Sequence, residues 1–244
     1  MRVPWREVRR HPDRFPDWHI AKVSSVRTVI GLDFAIHTGE TRRIYLKRSL
    51  QRDKVKQLLA RFRATKEWRE FQLAQEFAEA GVTVPQPVYY AEGTDENGQP
   101  SVYYATIGFG SEWHEAKSLF KKTRQFGAEW QSLARFTRRL HEKGVLHGDY
   151  RSDHIYLDEG SFAEGDDSAW ALMDLDGSRV GKPVTPRERF RALTQLTESL
   201  LTSGMKRENV EEFLRVYDPA NTQQLDSRRI YKFALDKVKR LRPR

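Results

Sequence analysis

The stretch His147-Gly148-Asp149-Tyr150-Arg151-Ser152-Asp153-His154-Ile155-Tyr156-Leu157, followed by Trp170-Ala171-Leu172-Met173-Asp174-Leu175-Asp176-Gly177, constrains this chain more than any other feature. Ile155–Leu157 and Trp170–Met173 are short apolar runs rich in β-branched and aromatic residues, which predicts two buried strands. The insert between them is polar and acidic (161–168), which predicts an exposed loop. One polar loop enters the first strand and another leaves the second. The insert is of hairpin length, so Asp149 would lie on the loop before the first strand and Asp174 would follow the second.

The flanking pattern divides the chain. Residues 20–36 are rich in Val and Ile and predict strands, Thr38-Gly39-Glu40 predicts a hairpin turn, and Arg42–Lys47 predicts a strand with Tyr45 and Lys47 on one face. Trp68, Phe71, Ala74, Phe77 and Ala78 recur at helical spacing within 65–80, and Gly81 ends that helix. Two prolines keep 82–90 extended, and Asn97-Gly98 marks a turn between strands near 88–91 and 102–106. After Gly108 and Gly110 the pattern turns helical. Phe126, Trp130, Leu133, Phe136 and Leu140 form a stripe ending at Gly144. Thr185-Pro186-Arg187-Glu188 predicts a capped helix start, and two further helices run through Val210–Tyr217 and Ile230–Leu241. A β-rich part over about 1–107 and a mainly helical part over about 112–244 predict an α+β fold of two lobes within one domain.

Composition narrows the chemistry. With no Cys, disulfides, zinc thiolates and thiol catalysis are excluded. No apolar run reaches the roughly 20 residues of a membrane helix, and the first residues lack a signal peptide's apolar stretch, so a cytoplasmic protein is expected. The formal charge of +9 is concentrated. Residues 42–69 hold eleven Lys or Arg against Asp53 and Glu67, and the last seventeen residues hold eight against Asp236. Solvated helix faces account for such runs as readily as attraction to a polyanion does. A nucleic-acid partner is not expected, because no recognised motif or aromatic interleaving accompanies the charge.

A His-x-Asp loop, a strand, a hairpin insert, a second strand and then Asp-Leu-Asp-Gly resembles the catalytic and metal-binding loops of kinases. The resemblance implies ATP and Mg²⁺ as cofactors and a role for each residue. Asp149 is the general base toward an attacking hydroxyl. Lys47 is the strand cation for the ATP phosphates, with Arg48 as the alternative. Glu70 on the following helix holds that Lys, with Glu67 and Glu76 as neighbouring candidates. Asp174 is the principal Mg²⁺ ligand. Asp176 is a second ligand or a cap for the turn at Gly177. His154 stands where protein kinases carry a metal-binding Asn, and so faces the nucleotide or the metal. A Gly-x-Gly-x-x-Gly strand turn is absent, which leaves residues around Ser24-Ser25-Val26-Arg27 to cover the phosphates. Gly148 stands where an Arg usually precedes the aspartate, and the segment 180–185 is short for a regulated activation loop. Both features point away from a phosphorylation-switched protein kinase.

More narrowly, the chain resembles the bacterial lipopolysaccharide core kinases of the Kdo/WaaP type. The matching residues are Lys47, Trp68-Arg69-Glu70, Gly81-Val82-Thr83-Val84-Pro85, Leu140 through Asp149, Met173-Asp174-Leu175-Asp176 and Pro186-Arg187-Glu188-Arg189-Phe190 with Leu193. His154 resembles the heptose-kinase branch, since Asn is associated with the Kdo-kinase branch. The resemblance implies ATP-dependent phosphorylation of a heptose or Kdo hydroxyl of the lipopolysaccharide inner core. It also implies peripheral contact with the anionic inner face of the cytoplasmic membrane through basic residues. Two alternatives stand beside it: a small atypical protein kinase with a Ser or Tyr acceptor, and a pseudokinase serving as a binding module.

Overall fold

In the computed structural model, residues 5–14, 18–24, 26–35, 41–50, 64–95, 97–123, 126–163 and 166–241 are described. The expected turn at 38–40, Ser25 of the phosphate-covering segment, and Arg61 and Arg63 of the basic run lie outside them. The chain forms two compact units, one of residues 1–75 with 85–110 and the other of 76–84 with 111–244.

The first unit is built on a five-stranded antiparallel sheet with strand order β1-β2-β3-β5-β4. Its strands are β1 (His19–Val23), β2 (Arg27–Ala35), β3 (Thr41–Leu50), β4 (Gln86–Thr94) and β5 (Pro100–Ile107). The central β3 pairs Lys47 with Val29 of β2 and with Tyr104 of β5. The β4–β5 turn forms as the Asn97-Gly98 signal requires. Gly98 has φ 73°, a conformation that costs a side-chain-bearing residue far more than Gly, and its N–H donates to Asp95 O at 3.0 Å. The short α1 (Trp5–Arg10) packs Trp5 and Val8 with Ile30 in a small apolar core.

Helix α2 (Lys66–Glu79) joins β3 to β4 in sequence. Thr65 caps it, its Oγ1 accepting from Trp68 N–H at 3.1 Å and sharing a 2.7 Å hydrogen bond with Tyr90 Oη. The expected stripe is present on this helix, although Ala78 is exposed while Ala74 and Phe77 are buried. Gly81 takes φ 72° at the helix end.

The second unit is mainly helical. Its helices are α3 (Ala116–Thr123), α4 (Ala128–Glu142), α5 (Pro186–Leu200), α6 (Arg207–Tyr217) and α7 (Ser227–Leu241). A small sheet, β6-β7-β8, holds β6 (Trp113–Glu115), β7 (Ile155–Asp158) and β8 (Trp170–Leu172). β7 and β8 are the two strands expected on either side of the acidic insert. They pair antiparallel, and every residue of β8 is buried. β6 was not expected, because its three residues carry no alternation long enough to read. The insert is less free than its composition suggests: Arg139 on α4 donates to Asp167 Oδ1 at 2.5 Å and to Asp167 O at 2.9 Å.

The core of this unit is the stripe of α4. Trp130, Leu133, Phe136 and Leu140 are buried, and Trp130 Nε1 donates to Asn209 O of α6 at 2.9 Å. The capping box at Thr185 forms as expected. Thr185 Oγ1 accepts from Glu188 N–H at 3.3 Å, and Glu188 Oε2 accepts from Thr185 N–H at 2.9 Å. The Thr185 N–H, then Arg179 donating at 2.8 Å and the Thr185 hydroxyl donating at 2.9 Å, hold the Glu188 carboxyl down at about 2. The helix ends short of the expected Gly204, the last three residues tightening into a 3₁₀ turn, Leu201–Ser203.

Candidate active site

In the first unit Lys47 and Glu70 meet directly. Nζ of Lys47 lies 2.6 Å from Glu70 Oε2, and the two side chains are only 13% and 15% exposed. The β pleat sends Lys47 to the face that carries Tyr104, whose ring lies 5.7 Å below the ammonium. Burial, and then the Glu70 charge, pushes the Tyr104 phenol up, so it stays neutral beside the pair. Arg48 takes the opposite face. It pairs with Asp95 and lies 5.7 Å over the Trp5 ring, so the alternative cation is engaged elsewhere. Of the neighbouring carboxylates, Glu67 is buried and faces Arg27 at 3.8 Å, while Glu76 is exposed. Between β1 and β2, Ser24 N–H donates to Arg27 O and Arg27 N–H donates to Ser24 Oγ, at 2.8 and 2.9 Å.

In the second unit the loop from His147 to His154 is fixed by its own backbone and by the loop after β8. His147 is fully buried, and burial lowers its basicity, so it is neutral. Its Nε2–H donates to Met173 O at 2.8 Å, and its Nδ1 accepts from Asp149 N–H at 3.3 Å. One imidazole thus ties Asp149 to the residue preceding Asp174. His154 repeats the tie: its O accepts from Met173 N–H at 2.9 Å, and its Nδ1–H donates to Asp149 O at 3.0 Å. Leu146 and Arg179 close the far side through a pair of backbone hydrogen bonds at 2.9 Å.

Gly148 explains the departure from Arg at its position. A Cβ there would sit 2.4 Å from Asp176 O and 2.5 Å from Gly177 C, both backbone atoms. The two loops therefore touch backbone to backbone at Gly148, and its N–H donates to Ser178 Oγ at 3.0 Å.

The Asp149 carboxylate is 49% exposed and approached at both oxygens. Gln195 Nε2 of α5 lies 3.5 Å from Oδ1, and His154 Nδ1 lies 3.6 Å from Oδ2. Asp174 is exposed and takes φ 54°, a left-handed conformation that Asp tolerates better than most residues. Asp176 is exposed too, and the buried Leu175 between them anchors the turn. Among the described residues no three His, Asp or Glu side chains converge as a ready metal cage. Lys47 and Glu70 belong to the first unit, and Asp149, His154, Asp174 and Asp176 to the second.

Sequence reasoning missed Gln195, Ser178 and Tyr104. Gln195 is an ordinary helix residue in sequence, and only the packing of α5 brings it to the loop. Tyr104 was readable as a strand residue, but its place under Lys47 depends on the β3–β5 register.

No curated protein matches the chain in sequence. Among solved structures, that of WaaP in complex with acyl carrier protein matches with a TM-score of 0.63 at 20% identity. The match covers 100% of this chain and 98% of that one, which shows a shared fold. A BubR1 kinase domain matches at a TM-score of 0.41 and 14% identity, covering 66% of this chain and 47% of that one, too distantly to carry an argument. The family model described as lipopolysaccharide kinase (Kdo/WaaP) matches residues 23–217. That span contains both strands of the His147–Gly177 motif, the Lys47–Glu70 pair and the capped helix α5, and the chain accordingly belongs to the lipopolysaccharide kinase (Kdo/WaaP) family.

Proposed function

We propose that this kinase transfers the γ-phosphoryl group of ATP to a sugar hydroxyl, on heptose or Kdo, of the lipopolysaccharide inner core, with Asp149 as general base. The observation that carries the reading is the Asp149 carboxylate itself. It is half exposed, yet its backbone is pinned by His147 and His154, and its two oxygens are approached by Gln195 and His154. A carboxylate so held can accept the acceptor hydroxyl's proton as the new O–P bond forms and the bond from the γ-phosphorus to the bridging oxygen breaks, releasing ADP. Lys47, kept in place by Glu70, is the cation for the nucleotide phosphates. The two compact units are read as the two lobes of one kinase domain.

The residues present fit Mg²⁺. Asp174 and Asp176 are exposed oxygen donors on one tight turn, and Mg²⁺ commonly takes one or two carboxylates and completes its shell with water and substrate phosphates. A three-residue protein cage is therefore not required. His154 donates Nδ1–H to a carbonyl, which leaves the lone pair of its neutral form on Nε2, the arrangement of a metal-ligating or hydrogen-bond-accepting imidazole. Asp174, with Asp176 and His154, would hold the ion, whose charge would offset that of the phosphates.

The test uses labelled ATP with purified lipopolysaccharide core in one arm and generic protein acceptors in the other. Label is expected in the core oligosaccharide. Label in protein alone would instead favour the atypical protein-kinase reading, and ATP binding without transfer in either arm would favour a binding module.

A further inference from the structure

Helix α5 is held in register against the loop that carries Asp149 by three contacts. Gln195 Nε2 lies 3.5 Å from Asp149 Oδ1, Glu198 Oε1 lies 3.8 Å from Arg151 Nη1, and Ser199 Oγ accepts from Ser152 N–H at 2.9 Å. Residues 195, 198 and 199 are three and four apart, so one side of the helix makes all three contacts. Followed toward the N-terminus, that side carries Arg191 and then Arg187, four and eight residues before Gln195. At a rise of about 1.5 Å per residue they stand roughly 6 and 12 Å along the helix from the residue that meets the proposed base. Both arginines are exposed, and among the described residues neither has an ion pair or a hydrogen bond. Arg189 between them is different: the fold uses it, through bonds to Val184 O at 3.1 Å and Tyr217 Oη at 2.9 Å. Glu188, the acid beside the two free arginines, is already saturated by Thr185 N–H at 2.9 Å and Arg179 at 2.8 Å.

We propose that Arg187 and Arg191 form an anion subsite for the acceptor, binding a carboxylate or phosphate carried one to two helical turns from the hydroxyl presented to Asp149. A guanidinium suits that task, because its planar fork meets either group through two parallel hydrogen bonds. Basic residues on a helix face are usually only solvated. Placement separates this pair from the rest of the chain's exposed arginines, since it continues the row of side chains that ends at the base. The row also gives the acceptor a chemical class, an acidic or phosphorylated saccharide rather than a neutral sugar. Gln195 would then mark the reacting end of the acceptor and the arginines its charged end, so that one helix face sets which hydroxyl reaches Asp149. The inference deepens the function proposed above and rests on it for the acceptor being a sugar.

The test is calorimetric binding of deacylated lipopolysaccharide core oligosaccharide to the full chain, with Mg²⁺ and a non-hydrolysable ATP analogue present so that no transfer enters the readout. Arg187→Ala with Arg191→Ala should weaken binding roughly tenfold, at about threefold per exposed guanidinium, and should flatten its dependence on salt. Arg187→Lys with Arg191→Lys, which keeps the charge and loses the fork, should recover part of that loss. Two further arms use the oligosaccharide after dephosphorylation and after carboxyl reduction. Removing the group that the arginines hold should weaken the wild-type chain by a similar factor and leave the double Ala variant unmoved, which tells phosphate from carboxylate. The double Ala variant should keep the wild-type melting temperature and nucleotide affinity, because neither side chain has a hydrogen bond or ion pair to lose. Undiminished binding in that variant, or wild-type binding that ignores removal of both anionic groups, would overturn the proposal. Failure of the sugar-kinase reading would show separately, as absence of label from the core in the transfer assay, whatever the binding result.

Discussion

Asp149 and Gly148 show how closely chemistry and packing are joined within two residues. Asp149→Ala is expected to lower kcat by about 10²–10⁴-fold, the usual contribution of a positioned base, while ATP binding, measured by calorimetry, survives. Retained transfer would remove the general-base role. Gly148→Ala introduces a methyl where the Asp176 and Gly177 backbones already stand. It should cost about 1–3 kcal/mol in urea unfolding and displace the loop after β8. Normal stability and activity in that variant would mean that the close approach is not maintained in solution. Glu70→Gln leaves Lys47 without its charged partner in a mostly buried setting. The loss of one charge-assisted hydrogen bond, about 1.5–3 kcal/mol, should lower kcat/KM for ATP by at least tenfold, and an unchanged value would detach the pair from nucleotide binding.

Among the elements, α5 carries the most varied duties. Its N-terminus is closed by the Thr185–Glu188 capping box, its middle sends Gln195 toward Asp149, and its C-terminal turn receives Lys237 and Arg151 at Glu198. Thr185→Ala removes the acceptor for Glu188 N–H and should destabilise by about 1 kcal/mol, read as a shifted urea midpoint at unchanged slope. The β7–β8 pair does a different task. Its short buried strands fix where two polar loops emerge, and the hydrogen bonds of His147 and His154 then pin the Asp149 backbone and the residue before Asp174.

At the scale of the whole molecule, stability is tied to pH through buried histidines. His141 is held neutral, down to about 3, by burial and then by the Arg189 charge, and its Nδ1 hydrogen-bonds Tyr217 Oη at 2.7 Å. Burial likewise lowers His147. The unfolded chain binds these protons near the ordinary histidine value of about 6.5, whereas the folded one does not. Stability is therefore complete above about pH 6.5 and declines as pH falls toward 3, because the unfolded state gains protons first. For His141 alone the loss would reach on the order of 4 kcal/mol at the acid end. Urea midpoints between pH 7 and 4.5, where most carboxylates stay ionised, should fall steadily. A flat profile would show that neither ring is buried in solution.

The sequence by itself determined the α+β order, the strands around the His147–Gly177 motif, the capped start of α5 and the family resemblance. These are carried by local spacing: strand and helix periods, turn residues, and polar residues placed next to apolar runs. It also put Glu70 ahead of Glu67 and Glu76 and Lys47 ahead of Arg48, but left open which of these groups meet. Tertiary structure decided these, because helix phase and sheet pleat bring Glu70 to Lys47, Glu67 to Arg27 and Arg48 to Asp95. The reason for Gly148 and the approach of Gln195 to Asp149 were likewise invisible beforehand. Each depends on a contact between residues far apart in the chain, and no local pattern encodes a distance that only the packed core sets.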